Sequence, residues 1–438
     1  MGDRVSMTVW MVRFLFLIVF LTLLYFSQRF WIVRSRRRIA RVQHPKLRFV
    51  LRWSWIGAVS LFLLLLAQRV AGIAGWPSPH QEYYAWSSIL LALWLGGSIV
   101  SYLAVQVVRG AGKLWRIVAA ALRRLGPRSA NVPDLVDGSR RYFLRTATFA
   151  AGALPFAAAV YGFAAERFRY TVRRVEVPIT GLPPALDGLR IAQLSDIHIS
   201  DYMPRSEVAR AVDLANQLDA ELVAVTGDLL TGPGDPLEQC VKELGRLRAP
   251  LGVWGCNGNH EIYADAEDAA EELFRQHGMQ MLRQQNTELT WRGMKFNLIG
   301  VDYQRQHSWS GERLEMLRGV EALIRRDMPN ILLSHNPNAF DRARELGIEL
   351  TLAGHTHGGQ VKVEILDHRF TPARFITAYP AGLYQRSFGA GAGKTADASP
   401  RDPGGHASLY VNRGLGTIGI PVRLGVPPEI TLLTLRRA

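Results

Sequence analysis

Residues 350–360 read L-T-L-A-G-H-T-H-G-G-Q: a short apolar run, 350–352, that breaks into glycines and histidines. The run has the length of a buried strand, and the glycines after it let the backbone turn sharply. Outward from this stretch the same figure recurs. Residues 189–194 lead into S-D-I-H-I-S, 222–226 into G-D-L-L, 252–255 towards N-G-N-H-E, and 331–333 into S-H-N-P. Segments of helical period lie between them, at 207–218, 236–247, 266–277 and 314–326. Further strands are predicted at 296–301, 409–411 and 430–435. Strands alternating with helices of this length predict an α/β domain. Residues 387–408, rich in Gly, Ala, Ser, Asp and Pro, read as a flexible loop insertion between two strands.

Before about residue 170 the pattern is different. Four apolar stretches, at about 7–26, 53–74, 83–108 and 146–165, each reach the roughly 20 residues that cross a hydrocarbon core about 30 Å thick. Pro155 interrupts the fourth, which is also rich in alanine. The chain has 52 Lys+Arg against 37 Asp+Glu, a net charge of +15, yet residues 1–170 hold 23 of the basic and only 5 of the acidic residues. Basicity confined to the most apolar third points to a membrane and argues against nucleic-acid binding. Residues 29–52 carry nine Lys+Arg and no acid, 109–145 carry nine against Asp134 and Asp137, and 77–82 carry none. The positive-inside rule places both basic segments, read as loops, in the cytoplasm. With four spans, everything after residue 166 then lies outside. Residues 139–145, S-R-R-Y-F-L-R, are similar to a twin-arginine export signal, here at an internal position.

The polar clusters share one place: each follows the C-terminal end of a predicted strand, the edge where open α/β sheets bind ligands. They hold Asp196, His198, Asp228, Asn259, His260, His335, His355 and His357, including five of the chain's eleven histidines. Imidazole and carboxylate donors suit Mn, Fe, Zn, Co or Ni, and the lack of thiolate argues against a structural zinc cage. The set exceeds one tetrahedral site and suffices for two divalent ions sharing a bridging carboxylate. Two such ions about 3.5–4 Å apart hold a phosphate ester, supply a hydroxide and stabilise the leaving oxygen, which a further histidine can protonate. Cys240 and Cys256 have no metal-ligand spacing and read as a reduced, buried pair. Asp302 and Tyr303 follow a strand and read as a turn in preference to pocket lining, Asn412 and Arg413 as a strand-end turn in preference to site residues, and His307, His368 and His406 as surface residues.

D-x-H (Asp196, His198), G-D (Gly227, Asp228), G-N-H-E (258–261), the single His335 and G-H-T-H-G-G-Q (354–360), in that order, resemble the motifs of the calcineurin-like metallophosphoesterase superfamily. The likeness covers roughly residues 185–438 and is greatest to the bacterial, membrane-associated or twin-arginine-exported branch. It implies a four-layer α/β-β/α sandwich over 171–438, preceded by a membrane domain of about four transmembrane helices over 1–170. It also implies that Asp196, His198 and His357 bind a first metal and Asn259, His335 and His355 a second. Asp228 would bridge both, and His260 would be the acid near the leaving group. Glu261, where much of the family has Asp, is not expected to bind metal.

The expected function is therefore a membrane-anchored, dinuclear-metal phosphoesterase acting on phosphate mono- or diesters from the extracytoplasmic side. A site tethered close to a lipid bilayer favours lipid-linked or envelope phosphodiesters over soluble metabolites. The rival reading is a non-catalytic membrane sensor or scaffold with a phosphoesterase-like binding domain. Retention of His260, which such a module does not need, weighs against it. A transporter finds little support, because the spans lack buried charged pairs.

Overall fold

The computed structural model describes residues 2–73, 81–125, 135–306, 314–365, 368–375, 377–388 and 405–438. Most of the loop insertion predicted at 387–408, and His307, lie outside the described residues. The chain divides into two compact units, Met1–Tyr161 and Gly162–Ala438.

The first unit consists of helices α1 (Gly2–Ala40), α2 (Pro45–Ile73), α3 (Gln81–Leu125) and α4 (Leu135–Ala164). Each contains a segment long and apolar enough to cross a membrane. Large side chains such as Leu15, Phe49, Leu64, Trp115 and Phe149 are exposed on them, a surface that suits lipid and not water. Polar side chains link the helices: Gln28 Nε2 donates to Ser98 Oγ (2.7 Å), Trp94 Nε1 to Gln28 Oε1 (2.8 Å) and Trp55 Nε1 to Ser35 Oγ (2.7 Å). Two expectations are corrected. The basic segments are mostly helix, not loop: α1 continues through Arg38 and only residues 41–44 separate it from α2. Nothing between 29 and 40 breaks a helix, and arginine is a good helix former. Pro155 lies inside α4 without ending it, as prolines in apolar helices commonly do.

The second unit begins with β1 (Thr171–Ile179), β2 (Arg190–Leu194), α5 (Arg205–Asn216), β3 (Leu222–Thr226), α6 (Leu237–Leu244) and β4 (Val253–Cys256). It continues with α7 (Asn259–Tyr263), α8 (Glu267–Gln276), β5 (Gln280–Met281), β6 (Gln285–Trp291), β7 (Met294–Val301), β8 (Asn330–Ser334), α9 (Phe340–Leu346) and β9 (Leu350–Ala353). A small hairpin, β10 (Val363–Ile365) and β11 (His368–Phe370), precedes β12 (Gly382–Ser387), β13 (His406–Val411) and β14 (Glu429–Arg437). Two six-stranded sheets result, ordered β1-β14-β2-β3-β4-β5 and β12-β13-β9-β8-β7-β6.

Alternation along the inner strands builds the layers. Ala192, Leu194, Val223 and Val225 face Val208 of α5, Val241 of α6 and Phe274 of α8. Their neighbours Ile191, Leu222 and Ala224 face Leu298, Leu333 and Leu352 of the second sheet. On the far side, Ile299, Val301 and Leu332 are covered by Val320 and by Ala343 of α9. This is a four-layer α/β-β/α sandwich. Gln193, fully buried, joins the sheets by donating from Nε2 to Ala353 O (3.0 Å).

The helix predicted at 314–326 is absent. Only a single 3₁₀ turn, Val320–Leu323, forms there. Leu317 and Gly319 stand in the left-handed region (φ 58° and 83°), which an α-helix cannot contain. Met316, Leu317 and Val320 still bury against the second sheet. Cys240 and Cys256 are both free and buried, one in the helix-side core of the first sheet and the other between the sheets.

Candidate metal centre

The parallel strands deliver the predicted residues at their C-terminal ends. β2 is followed by Asp196 and His198, β3 by Asp228, β4 by Asn259 and His260, β8 by His335, and β9 by His355 and His357. The turns that present them are unusual. Asp196 (φ 48°), His198 (52°), Asp228 (56°), His355 (74°) and His357 (50°) are all left-handed. Such conformations cost about 1–3 kcal/mol each and persist only where surrounding structure fixes them. Here backbone hydrogen bonds fix them: Asp196 N donates to Gly227 O (3.0 Å), His198 N to Asp228 O (3.0 Å) and Gly354 N to His335 O (3.1 Å). The loops lie so close that a Cβ on Gly258 would overlap Asp228 Oδ1, and one on Gly354 would overlap Ser195 Oγ and Asp196 Oδ2.

Two groups of donors form, each with its ligand atoms within 4.8 Å of one another. Asp196, His198, Asp228 and His357 make one; Asp228, His335 and His355 make the other. Asp228 belongs to both. His198 Nε2 lies 3.1 Å from His357 Nε2, His357 Nε2 3.2 Å from Asp196 Oδ1, and His335 Nε2 3.0 Å from Asp228 Oδ2. Spacings of about 3 Å are those between neighbouring ligands of one ion with bonds of about 2.1 Å. Asp196, His198, Asp228 and His335 are almost wholly buried, and His355 and His260 are half-buried.

Outer hydrogen bonds set the tautomers. His198 Nδ1 meets Leu230 O (3.1 Å) and His335 Nδ1 meets Thr226 O (2.6 Å). With each Nδ1–H given to a carbonyl, Nε2 is left as the ligand atom. Asn259 opens α7, buried, with Oδ1 lacking any hydrogen-bond partner. The next peptide, His260 N, donates to Asp228 Oδ1 (2.9 Å). An unpaired buried amide oxygen is costly, and together with the converging imidazole nitrogens it fits a cation. His260 itself stands beside His198, ring centroids 4.7 Å apart. A carbonyl, not a carboxylate, orients it: its Nδ1 meets Thr231 O at 2.6 Å.

Burial brings His198 down to about 3 and, together with the charge of His335, His355 to about 4. His357 is also held well below the ordinary value by burial and by His198. These three are neutral near pH 7, the form that binds metal. Burial alone would lower His335, but Asp228 and Asp196 raise it to about 10. Burial alone would raise Asp228, yet His335 and His198 hold it below the ordinary carboxylate range. The His335–Asp228 pair thus carries a proton between two ligand atoms, where a divalent ion can replace it.

Two features were not legible in the motifs. Glu261 is fully buried and accepts from Gly258 N (2.7 Å), Asp228 N (2.9 Å) and Leu229 N (2.7 Å), so it fastens the β3 and β4 loops together. Arg423, also fully buried, donates to the carbonyls of Arg413 (2.9 Å), Gly414 (3.0 Å), Gly416 (3.1 Å) and Val426 (3.2 Å). The loop it gathers donates from Gly416 N to Asp196 O (2.7 Å). Tyr303 lines the site and is no mere turn residue, its ring 5.3 Å from that of His355. Asp302 pairs instead with Arg283 Nε (2.9 Å) and Asn257 Nδ2 (2.8 Å). Asn412 is structural, donating to Thr431 Oγ1 (2.9 Å), and His406 is exposed.

Comparison with known proteins agrees with this geometry. The family model of the calcineurin-like phosphoesterases matches residues 189–359. A transmembrane protein with metallophosphoesterase domain from Danio rerio is 30% identical over 289 residues, 64% of this chain and 60% of that one. Its namesake from Bos taurus is 31% identical over 278 residues, 61% and 57%. The metallophosphoesterase YkuE of Bacillus subtilis is 28% identical over 305 residues, 68% of this chain and 98% of that one. The chain thus spans about three fifths of the length of the two vertebrate relatives. Motif order, sandwich and shared carboxylate lead to one conclusion: residues 189–359 of this chain are a calcineurin-like phosphoesterase domain.

Proposed function

We propose that this protein is a membrane-anchored phosphoesterase that uses two divalent ions to hydrolyse phosphate mono- or diesters. The observation that carries the reading is Asp228, common to both donor groups. Asp196, His198, Asp228 and His357 would hold one ion; Asp228, Asn259, His335 and His355 would hold the other. Bound there, such ions supply positive charge to the phosphoryl oxygens and a nucleophile at neutral pH. The chain supplies the rest. Thr231 O fixes the ring of His260 through Nδ1, so the proton given to the leaving oxygen is the one on Nε2. Half-buried, His260 can meet both substrate and solvent. Tyr303 walls the site beside His355.

Anchoring is supported by the four apolar helices and by the transmembrane relatives. The basic residues of α1 and of α3–α4 favour a cytoplasmic position for those helix ends. That puts the phosphoesterase domain outside and favours lipid or envelope phosphodiesters. The S-R-R-Y-F-L-R segment at the start of α4 supports twin-arginine export. A reporter active only outside the cytoplasm, fused after Ala438, should give signal. Signal from a cytoplasm-only reporter would reverse the orientation. For the chemistry, the detergent-purified chain, stripped of metal and reloaded with Mn, Fe, Zn, Co or Ni, should cleave a nitrophenyl monoester, a bis-nitrophenyl diester or a phospholipid. Metal uptake without cleavage of any of the three would favour the sensor or scaffold.

A further inference from the structure

A cavity of about 960 Å³ lies within the helical unit, and eight of the residues lining it are arginines. Seven come from three helices: Arg29, Arg34, Arg37 and Arg38 from α1, Arg109 from α3, and Arg141 and Arg145 from α4; Arg41 follows α1 directly. No aspartate or glutamate is among the described residues that line it. Apolar side chains, Phe26, Phe30, Val33 and Leu144, line it as well. The Phe30 ring carries two of the guanidinium groups, Arg34 at 5.6 Å and Arg109 at 5.1 Å, which holds them at fixed spacing across α1 and α3.

The positive-inside rule asks for basic residues near helix ends but not for their convergence on one cavity. Lys113 and Arg116 serve that rule from α3 without lining it. Like charges brought together repel, so Arg34, Arg37, Arg38 and Arg109, with no carboxylate among the described lining residues, call for an anion from outside the chain. Guanidinium forks match the oxygens of a phosphate two at a time. The apolar side chains among them, in helices long enough to span a bilayer, suit an acyl chain attached to that phosphate. Basic pockets between transmembrane helices take anionic headgroups in this way. We propose that this cavity binds the phosphate headgroup of an acidic phospholipid. The inference does not depend on the phosphoesterase reading.

The test titrates short-chain phosphatidylglycerol, phosphatidylcholine or inorganic phosphate into the detergent-purified full chain. Thermal unfolding and lipid retained in native mass spectra are the readouts. Phosphatidylglycerol should raise the unfolding temperature by several degrees and stay bound, and the other two should not. Arg34→Gln/Arg109→Gln should weaken that binding roughly 30-fold, whereas Lys113→Gln/Arg116→Gln, equal in charge lost, should leave it intact. Arg34→Lys/Arg109→Lys keeps the charge without the fork and should fall between, and it decides the matter if the glutamine pair fails to fold. Equal response to phosphatidylcholine, or equal loss in the two glutamine pairs, would overturn the proposal. A full shift with inorganic phosphate would assign the cavity to a soluble phosphate and overturn the lipid.

Discussion

The two units treat charge in opposite ways. In residues 162–438 buried charge is matched by the chain itself: Asp228 by histidines, Glu261 by backbone N–H groups, Arg423 by backbone carbonyls. In residues 1–161 eight arginines line one cavity with no carboxylate among its described lining residues. Where the chain supplies the counter-charge, side chains stay fixed in strained turns and their ligand atoms converge. Where it does not, the counter-charge must come from elsewhere. Acceptors converge in the first case and donors in the second, so the first is built for a cation and the second for an anion.

Substitutions can break or sharpen this contrast. The largest effect is expected from Asp228→Asn, which removes the charge common to both donor groups. Metal content should fall from about two ions per chain to fewer than one, and turnover should be lost. His260→Asn should lower turnover by about 10²–10⁴-fold with metal content unchanged, measured by steady-state kinetics and metal analysis together. Loss of metal in both variants would make His260 a ligand.

Arg423→Met probes matched charge away from the donors. It strands the carbonyls of Arg413, Gly414 and Gly416 and should cost about 2–5 kcal/mol in denaturant unfolding. Because the same loop is bonded to Asp196 O, metal affinity should fall as well. The smallest effect belongs to a surface pair. Arg190 and Glu221 meet at 2.8 Å but are partly exposed, so Arg190→Ala should cost about 0.2–1 kcal/mol. A loss as large as that of Arg423 would show that burial is not what separates these charges.

Legibility in the sequence followed the same division between matched interior and open surface. The inner strands of both sheets, β14, β2, β3 and β4 and then β13, β9, β8 and β7, all coincide with apolar runs. The strands at the sheet edges, β1, β5, β6 and β12, escaped notice. Arg173 and Arg174 sit in β1, and β6 reads Q-N-T-E-L-T-W, because an edge needs only one apolar face and gains from charge on the other. The metal donors were visible because imidazole and carboxylate at strand ends have few other uses. Glu261 and Arg423 were not, since a residue that bonds only to backbone leaves no pattern of spacing. The 314–326 segment misled because apolar residues at helical intervals can also cover a sheet from a turn.

The central claim is that Asp228 joins two cation sites in one centre. Its most direct test is the metal-to-protein ratio of the reloaded, active full chain, measured by elemental analysis alongside turnover. Activity should rise with loading and saturate at about two ions per chain. Full activity at one ion per chain would contradict the claim.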